Sequence, residues 1–229
     1  MSVLKKIRKG LIVSVQARSG SPLDDPAVLS SLALSAQENG AAGVRMQGVQ
    51  NIRAARVRLS VPIVGIVKRE YAEFEPYITP TLREVREVLE CGAEIVAFDA
   101  TARPRPEGLT VAELIAEIHR GGALAMADCA LPSDAVAAVA AGADIAATTL
   151  CGYTKETRGV PLPALELVSA LRQLQTFVIC EGGIHSPESA SAAMRAGADA
   201  VVVGTAITDT GWIVRQYVSS LAPQTSSLP

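Results

Sequence analysis

The stretch Ala196-Gly197-Ala198-Asp199-Ala200-Val201-Val202-Val203-Gly204 reads as a helix end, a glycine turn and a buried strand. The same phrase occurs three more times. Glu38-Asn39-Gly40-Ala41-Ala42 precedes Gly43-Val44-Arg45-Met46, Cys91-Gly92-Ala93-Glu94 precedes Ile95-Val96-Ala97-Phe98-Asp99, and Ala141-Gly142-Ala143-Asp144 precedes Ile145-Ala146-Ala147-Thr148-Thr149. Glycine suits the left-handed residue that closes a helix, and an apolar run straight after it suits a strand covered on both faces. Outward from these junctions, the spacing predicts strands at 11–15, 43–46, 63–67, 95–98, 123–127, 145–149, 177–180 and 200–203. Helices are predicted at 26–39, 50–59, 81–90, 110–120, 132–141, 163–174, 187–196 and 211–221, several opening with Pro. A repeated strand–helix unit predicts a parallel sheet, and eight units close it into an α/β (β/α)8 TIM barrel, with its chemistry at the C-terminal strand ends.

The chain has 229 residues, which suits one barrel domain over 1–221 followed by a frayed Pro/Ser/Thr-rich tail at 222–229. The net charge of −2 offers no basic field for nucleic acid, and 3% aromatic residues leave few stacking platforms. Cys91, Cys129, Cys151 and Cys180 lie far apart with no metal-ligand spacing, which predicts buried thiols in a reducing compartment. No His/Asp/Glu set has metal spacing either, and no nucleotide-binding fingerprint occurs, so no metal and no cofactor are expected. The basic N-terminus is followed by too short an apolar run for a signal peptide. No stretch approaches the roughly 20 apolar residues of a membrane span. The expectation is a cytoplasmic protein without a membrane partner.

The strand ends carry Gln16, Arg45 with Gln47, Lys68-Arg69-Glu70, Asp99, Asp128, Thr148-Thr149 and Glu181 in chain order. Polarity placed repeatedly on the strand end itself predicts one pocket at the top of the barrel. Lys68 follows a five-residue apolar run. Desolvation and a nearby cation, Arg45 or Arg69, would lower its pKa toward that of a general base; the alternative is a surface ion pair with Glu70. Glu181, after an apolar run, could have a raised pKa and act as an acid, or serve as a structural partner of Lys68 or Arg45. Gly182-Gly183 after strand seven and Gly204-Thr205 after strand eight offer a phosphate cradle, or are ordinary tight turns. His119 reads as a surface residue at a helix end, and His185 as either a loop or a ligand residue. The loop 69–80, with Tyr71, Phe74 and Tyr77, is either a lid or a packed loop.

In order, these residues resemble the N-acetylmannosamine-6-phosphate 2-epimerase family. The resemblance covers nearly the whole chain. Its specific stretches are Arg45-Met46-Gln47-Gly48-Val49-Gln50-Asn51-Ile52, Pro62 to Tyr71 around Lys68, Ile78-Thr79-Pro80-Thr81, Phe98 to Pro106, Met126-Ala127-Asp128, Thr148 to Thr154 and Cys180-Glu181-Gly182-Gly183-Ile184. The resemblance implies interconversion of N-acetylmannosamine 6-phosphate and N-acetylglucosamine 6-phosphate in sialic-acid breakdown, without metal or nucleotide. It implies that Lys68 and Glu181 are catalytic and that Gln16, Arg45 and Asp128 bind the sugar. Tyr153, in the stretch after strand six, is expected among the substrate contacts.

There is one departure. The family usually writes Ala-Ile-Thr-Arg-Pro after strand eight, and that Arg helps hold the phosphate; here Ala206-Ile207-Thr208-Asp209-Thr210 stands instead. Either Arg215 or another cation substitutes, or the phosphate is held more weakly, or the substrate differs. Two other readings therefore stay open: a different metal-free sugar-phosphate isomerase or synthase, and a non-catalytic sugar-phosphate binder. Apolar residues of the last helix (Trp212, Ile213, Tyr217) leave a homodimer open.

Overall fold

The computed structural model describes residues 2–221; Met1 and the expected tail at 222–229 lie outside the described residues. Eight parallel strands close into a barrel in chain order, β8 pairing back onto β1. They are β1 (Leu11–Val15), β2 (Gly43–Gln47), β3 (Ile63–Ile66), β4 (Ile95–Asp99), β5 (Leu124–Asp128), β6 (Ile145–Ala147), β7 (Phe177–Glu181) and β8 (Ala200–Val203). The outer helices are α2 (Pro26–Glu38), α3 (Val49–Arg56), α4 (Leu82–Leu89), α5 (Val111–Arg120), α6 (Pro132–Ala140), α7 (Leu165–Arg172), α8 (Pro187–Arg195) and α10 (Thr210–Leu221), with short helices α1 (Val3–Ile7) and α9 (Thr205–Thr208) at the two ends.

The junction glycines behave as their spacing predicts. Gly40, Gly92, Gly142 and Gly197 have φ of 93, 75, 103 and 112°, a region closed to most side chains. Helix starts follow local chemistry too. Asp25 caps α2, and Thr81 and Thr110 form capping boxes with Glu84 and Glu113. Pro163 does not open α7, which begins two residues later at Leu165. At β3, an added Cβ on Gly65 would stand 2.5 Å from Val88, so the missing side chain lets α4 close onto the sheet.

Side-chain alternation sorts each strand into an outward and an inward set. Outward residues such as Val13, Val44, Val96, Phe98, Val178 and Val201 pack against the helices. Inward residues Ile12, Val64, Ile66, Ile95, Ala97, Met126, Ile145, Phe177, Ile179 and Val202 fill the barrel. Burying one such Ile or Phe stabilises by about 1.5–3 kcal/mol. Helix α1, absent from the sequence-based expectation, plugs the bottom: Ile7 is fully buried among the inward residues, with Val3 and Leu4 packed against them. The inward parity then runs upward into polar residues. Asp99, Asp128 and Glu181 end their strands on it, Arg45 lies on it two residues before the end of β2, and Lys68, Thr149 and Gly204 continue it just beyond. A site at the top of the barrel is thus the continuation of its core, with the same positions filled by charge.

Candidate active site

A cavity of about 760 Å³ opens at the C-terminal ends of the strands. Its lining includes Gln16, Arg45, Lys68, Tyr153, Glu181, Gly182, Gly183, Gly204 and Thr205. Its floor is organised by Arg45. Carried inward by β2 and only 1% exposed, this guanidinium donates to Asp128 through Nη2 at 2.7 Å and Nη1 at 3.1 Å, and to Glu181 Oε2 at 2.7 Å. Thr149 closes the set, its hydroxyl donating to Asp128 Oδ1 at 2.6 Å and lying 3.3 Å from Glu181 Oε2. Thr148 pins the backbone of Glu181, its Oγ1 donating to the carbonyl and accepting from the N–H.

Two carboxylates and one cation share this floor, and Lys68 stands beside them. Burial pushes the Glu181 carboxyl up to about 7; Asp128 adds to the rise, while Arg45, Thr149 and Lys68 hold it back. Lys68 is lowered from the usual lysine value, first by desolvation and then by Arg45, with Glu181 and Asp128 opposing. Its side chain faces open space in the cavity, so water offsets part of that burial. The partner of Glu181 is Arg45 rather than Lys68. An acid moved upward and a base moved downward face each other across the barrel mouth, one ending β7 and the other just beyond β3, an arrangement suited to proton transfer near neutral pH.

Three expectations from the strand ends need correction. Arg69 turns away from Lys68 to pair with Glu84 and Glu87 of α4, so Arg45 alone is the neighbouring cation. Asp99 is fully buried outside the cavity lining, accepting from Thr101 and Arg103. Asp128 is also fully buried behind Arg45, and its oxygens are taken by Arg45 and Thr149 rather than turned to the cavity. The loop 69–80 folds back on β3: Lys68 bridges Ile78, and the Arg69 N–H donates to the Tyr77 carbonyl at 2.9 Å. This hangs Tyr77 over the cavity, whereas Tyr71 bonds Glu84.

The other end of the cavity is made of backbone. Gly182 and Gly183 have φ of 103 and 69°, and a Cβ on Gly183 would stand 2.2 Å from Leu162 Cβ. Gly204 lies against Ser14, whose Oγ accepts from Gln16 Nε2 at 2.8 Å, while Gln16 Oε1 is buried without a partner. His185 lines the cavity and stacks on Trp212 with ring centres 4.9 Å apart. His119 sits on the outer surface, 2.8 Å from Asp144. Asp209 is turned toward α10, where Oδ1 accepts from the Trp212 N–H at 2.8 Å; Oδ2 lies 3.7 Å from Arg18. All four cysteines are buried and free. Among the described residues no three His, Cys, Asp or Glu side chains are grouped to hold a metal ion, and no helix is long and apolar enough to cross a membrane.

The family model described as "Putative N-acetylmannosamine-6-phosphate epimerase" (NanE) matches residues 29–223. The chain belongs to the N-acetylmannosamine-6-phosphate epimerase family. Relatives named "Putative N-acetylmannosamine-6-phosphate 2-epimerase" include a protein of Salmonella arizonae, 46% identical over 96% of this chain and 98% of its own length. A second, from Caldanaerobacter subterraneus, is 40% identical over 96% and 94%. The solved N-acetylmannosamine-6-phosphate 2-epimerase of Clostridium perfringens superposes with a TM-score of 0.93 at 39% identity, covering 96% of this chain and 97% of that one. Within this epimerase-family barrel, sequence reasoning had passed over Ser14, Arg18 and Thr149 as individual site residues. Thr149 was legible as a strand-end polar residue, but an arginine in the loop after β1 gives no signal until the loop is seen over the cavity.

Proposed function

We propose that this chain interconverts N-acetylmannosamine 6-phosphate and N-acetylglucosamine 6-phosphate by inverting C2, as an isomerase of amino-sugar and sialic-acid breakdown. The observation that supports it best is Lys68 and Glu181 in one cavity, on opposite sides of the barrel mouth, their proton affinities moved toward each other around a shared Arg45. Inversion at C2 requires removing the proton next to the aldehyde of the ring-opened sugar and returning a proton to the other face. Lys68 takes the C2 proton, and the electron pair moves onto the carbonyl oxygen. Glu181 in its protonated form donates to that developing oxyanion or assists ring opening. Asp128 acts through Arg45 as a positioning residue, holding the guanidinium where it sets both proton affinities. Gln16 and Tyr153 contact the sugar, and the loops at Gly182-Gly183 and Gly204-Thr205 receive the phosphate. Binding there, away from the reacting carbon, positions the substrate. A binder without turnover has no use for the Lys68–Glu181 arrangement.

One barrel domain over 1–221 carries this chemistry in our reading, in the cytoplasm, where phosphorylated sugars are handled. A homodimer would form over α10, whose outer face shows Val214, Tyr217, Val218 and Leu221 at helical spacing, 52 to 83% exposed. Light scattering of wild type and Val218→Glu tests that contact. Proton NMR of N-acetylmannosamine 6-phosphate in D₂O tests the reaction. The expected result is the C2 epimer carrying deuterium at C2; no product and no exchange would overturn the assignment.

A further inference from the structure

We propose that Arg18 and Arg215 supply the positive charge that binds the substrate's phosphate, with Asp209 as the residue that holds Arg18 at the rim. The proposal rests on the sugar-phosphate reading above and adds the residues that recognise the anion. A phosphate monoester carries nearly two negative charges at neutral pH, and backbone N–H groups alone leave that charge uncompensated. The arginine and lysine side chains that line the cavity are Arg18, Arg45, Lys68 and Arg215. Arg45 is paired through both terminal nitrogens with Asp128 and Glu181 in the floor, and Lys68 stands with them. Arg18 and Arg215 remain, together with His185, and they come with the lining residues Gly204, Thr205, Thr208, Asp209 and Gly211.

Asp209 lines the cavity beside Arg18. Its Oδ2 is 3.7 Å from Arg18 Nη2, and its Oδ1 caps the first turn of α10 through the Trp212 N–H. A Cβ on Gly211 would stand 3.3 Å from both Asp209 Oδ1 and Arg215 Nη1, which places both groups beside the first turn of α10. The carboxylate is thus tied to the helix with Arg18 beside it, and with two arginines against one carboxylate the rim keeps a net positive charge. The contact between Arg18 and Asp209 is long and exposed, so turning Arg18 onto a stronger anion loses little. Guanidinium groups suit the task because they donate in pairs to phosphate oxygens.

The test compares steady-state rates of wild type, Arg18→Ala, Arg215→Ala, the double variant and Asp209→Ala, on N-acetylmannosamine 6-phosphate and on the unphosphorylated sugar. Inorganic phosphate serves as competitive inhibitor. The expected result is a KM for the phosphosugar raised about tenfold by each arginine change and about a hundredfold by both. The inhibition constant of inorganic phosphate should rise in parallel, whereas the slower turnover of the unphosphorylated sugar, which has no group for these arginines to hold, should be the same in wild type and variants. Asp209→Ala should raise KM slightly, since Arg18 loses its partner at the rim; a lowered KM would mean that Asp209 only repels the phosphate and would overturn its holding role. Unchanged KM and inhibition constants in the double variant would overturn the proposal. If wild type fails to epimerise, calorimetric titration with inorganic phosphate still decides it: binding lost in the double variant supports the arginine site while the epimerase reading falls, and binding equal in both overturns the site.

Discussion

At the floor of the cavity, Arg45, Asp128 and Glu181 meet at 2.7 Å with side chains 0 to 13% exposed, whereas at the rim Arg18 and Asp209 meet at 3.7 Å with side chains 77 and 33% exposed. Both regions pair arginine with carboxylates, yet the same chemistry has opposite consequences. In the floor, removing one charge strands its partners in a medium that cannot solvate them, so the set stands or falls together. At the rim, water solvates whatever is left, so a pair is worth little to the fold and its members are free to recognise an anion. An acid such as Asp209 can therefore stand at the rim, while loss of the cation at Arg45 would leave two buried carboxylates facing each other.

The largest effect expected from this contrast is at Arg45. Arg45→Met should destabilise the fold by about 3–5 kcal/mol, the usual result of breaking a buried pair from one side, and should abolish epimerisation. Thermal unfolding beside an activity assay reads both, and a variant with unchanged melting would break the distinction between floor and rim. Lys68→Ala should lower kcat by about 10²–10⁴-fold, the range of a lost acid–base group. It should leave melting unchanged, because Lys68 faces the open cavity and carries none of the floor's ion pairs. Deuterium incorporation at C2 should vanish with it.

The pH profile sharpens the comparison further. The working enzyme holds one proton between Glu181 and Lys68, whichever of the two carries it, so kcat/KM should rise through about pH 7 and fall on an alkaline limb set by Lys68 below its usual 10.5. Thr149→Val removes a hydrogen bond that favours the Glu181 carboxylate, so Glu181 titrates higher and the acidic limb moves to higher pH. An acidic limb that stays in place would mean that the profile reports another group. The smallest effect belongs to the outer clasp in which Glu75 meets Arg103 and Lys155. Glu75→Ala should shift melting slightly at low salt and not at all at high salt, as expected of screened surface pairs.

Much of this was legible residue by residue. The four junction glycines announced the repeat, and an apolar run ending in Lys68 or Glu181 announced a charge held at a barrel mouth. Adjacent or similar residues then separated for reasons no local pattern carries. Lys68 and Arg69 are chain neighbours, but strand alternation sends one into the cavity and the other to Glu84 and Glu87. Asp99 and Asp128 end neighbouring strands in the same register, yet Asp99 is claimed by Arg103 four residues away, and Asp128 by Arg45, 83 positions away.

By itself the sequence determined the repeating unit, the closed parallel barrel and the end at which charge gathers, because turn glycines and alternating apolar runs act over a few residues. Only the tertiary structure decided which charges share a proton. Arg45 meets Glu181 across 136 positions of chain, and Asp209 turns to α10 with Arg18 beside it. Those pairings depend on how the barrel closes and which side chains its closure buries together, and burial sets how strongly they act on one another.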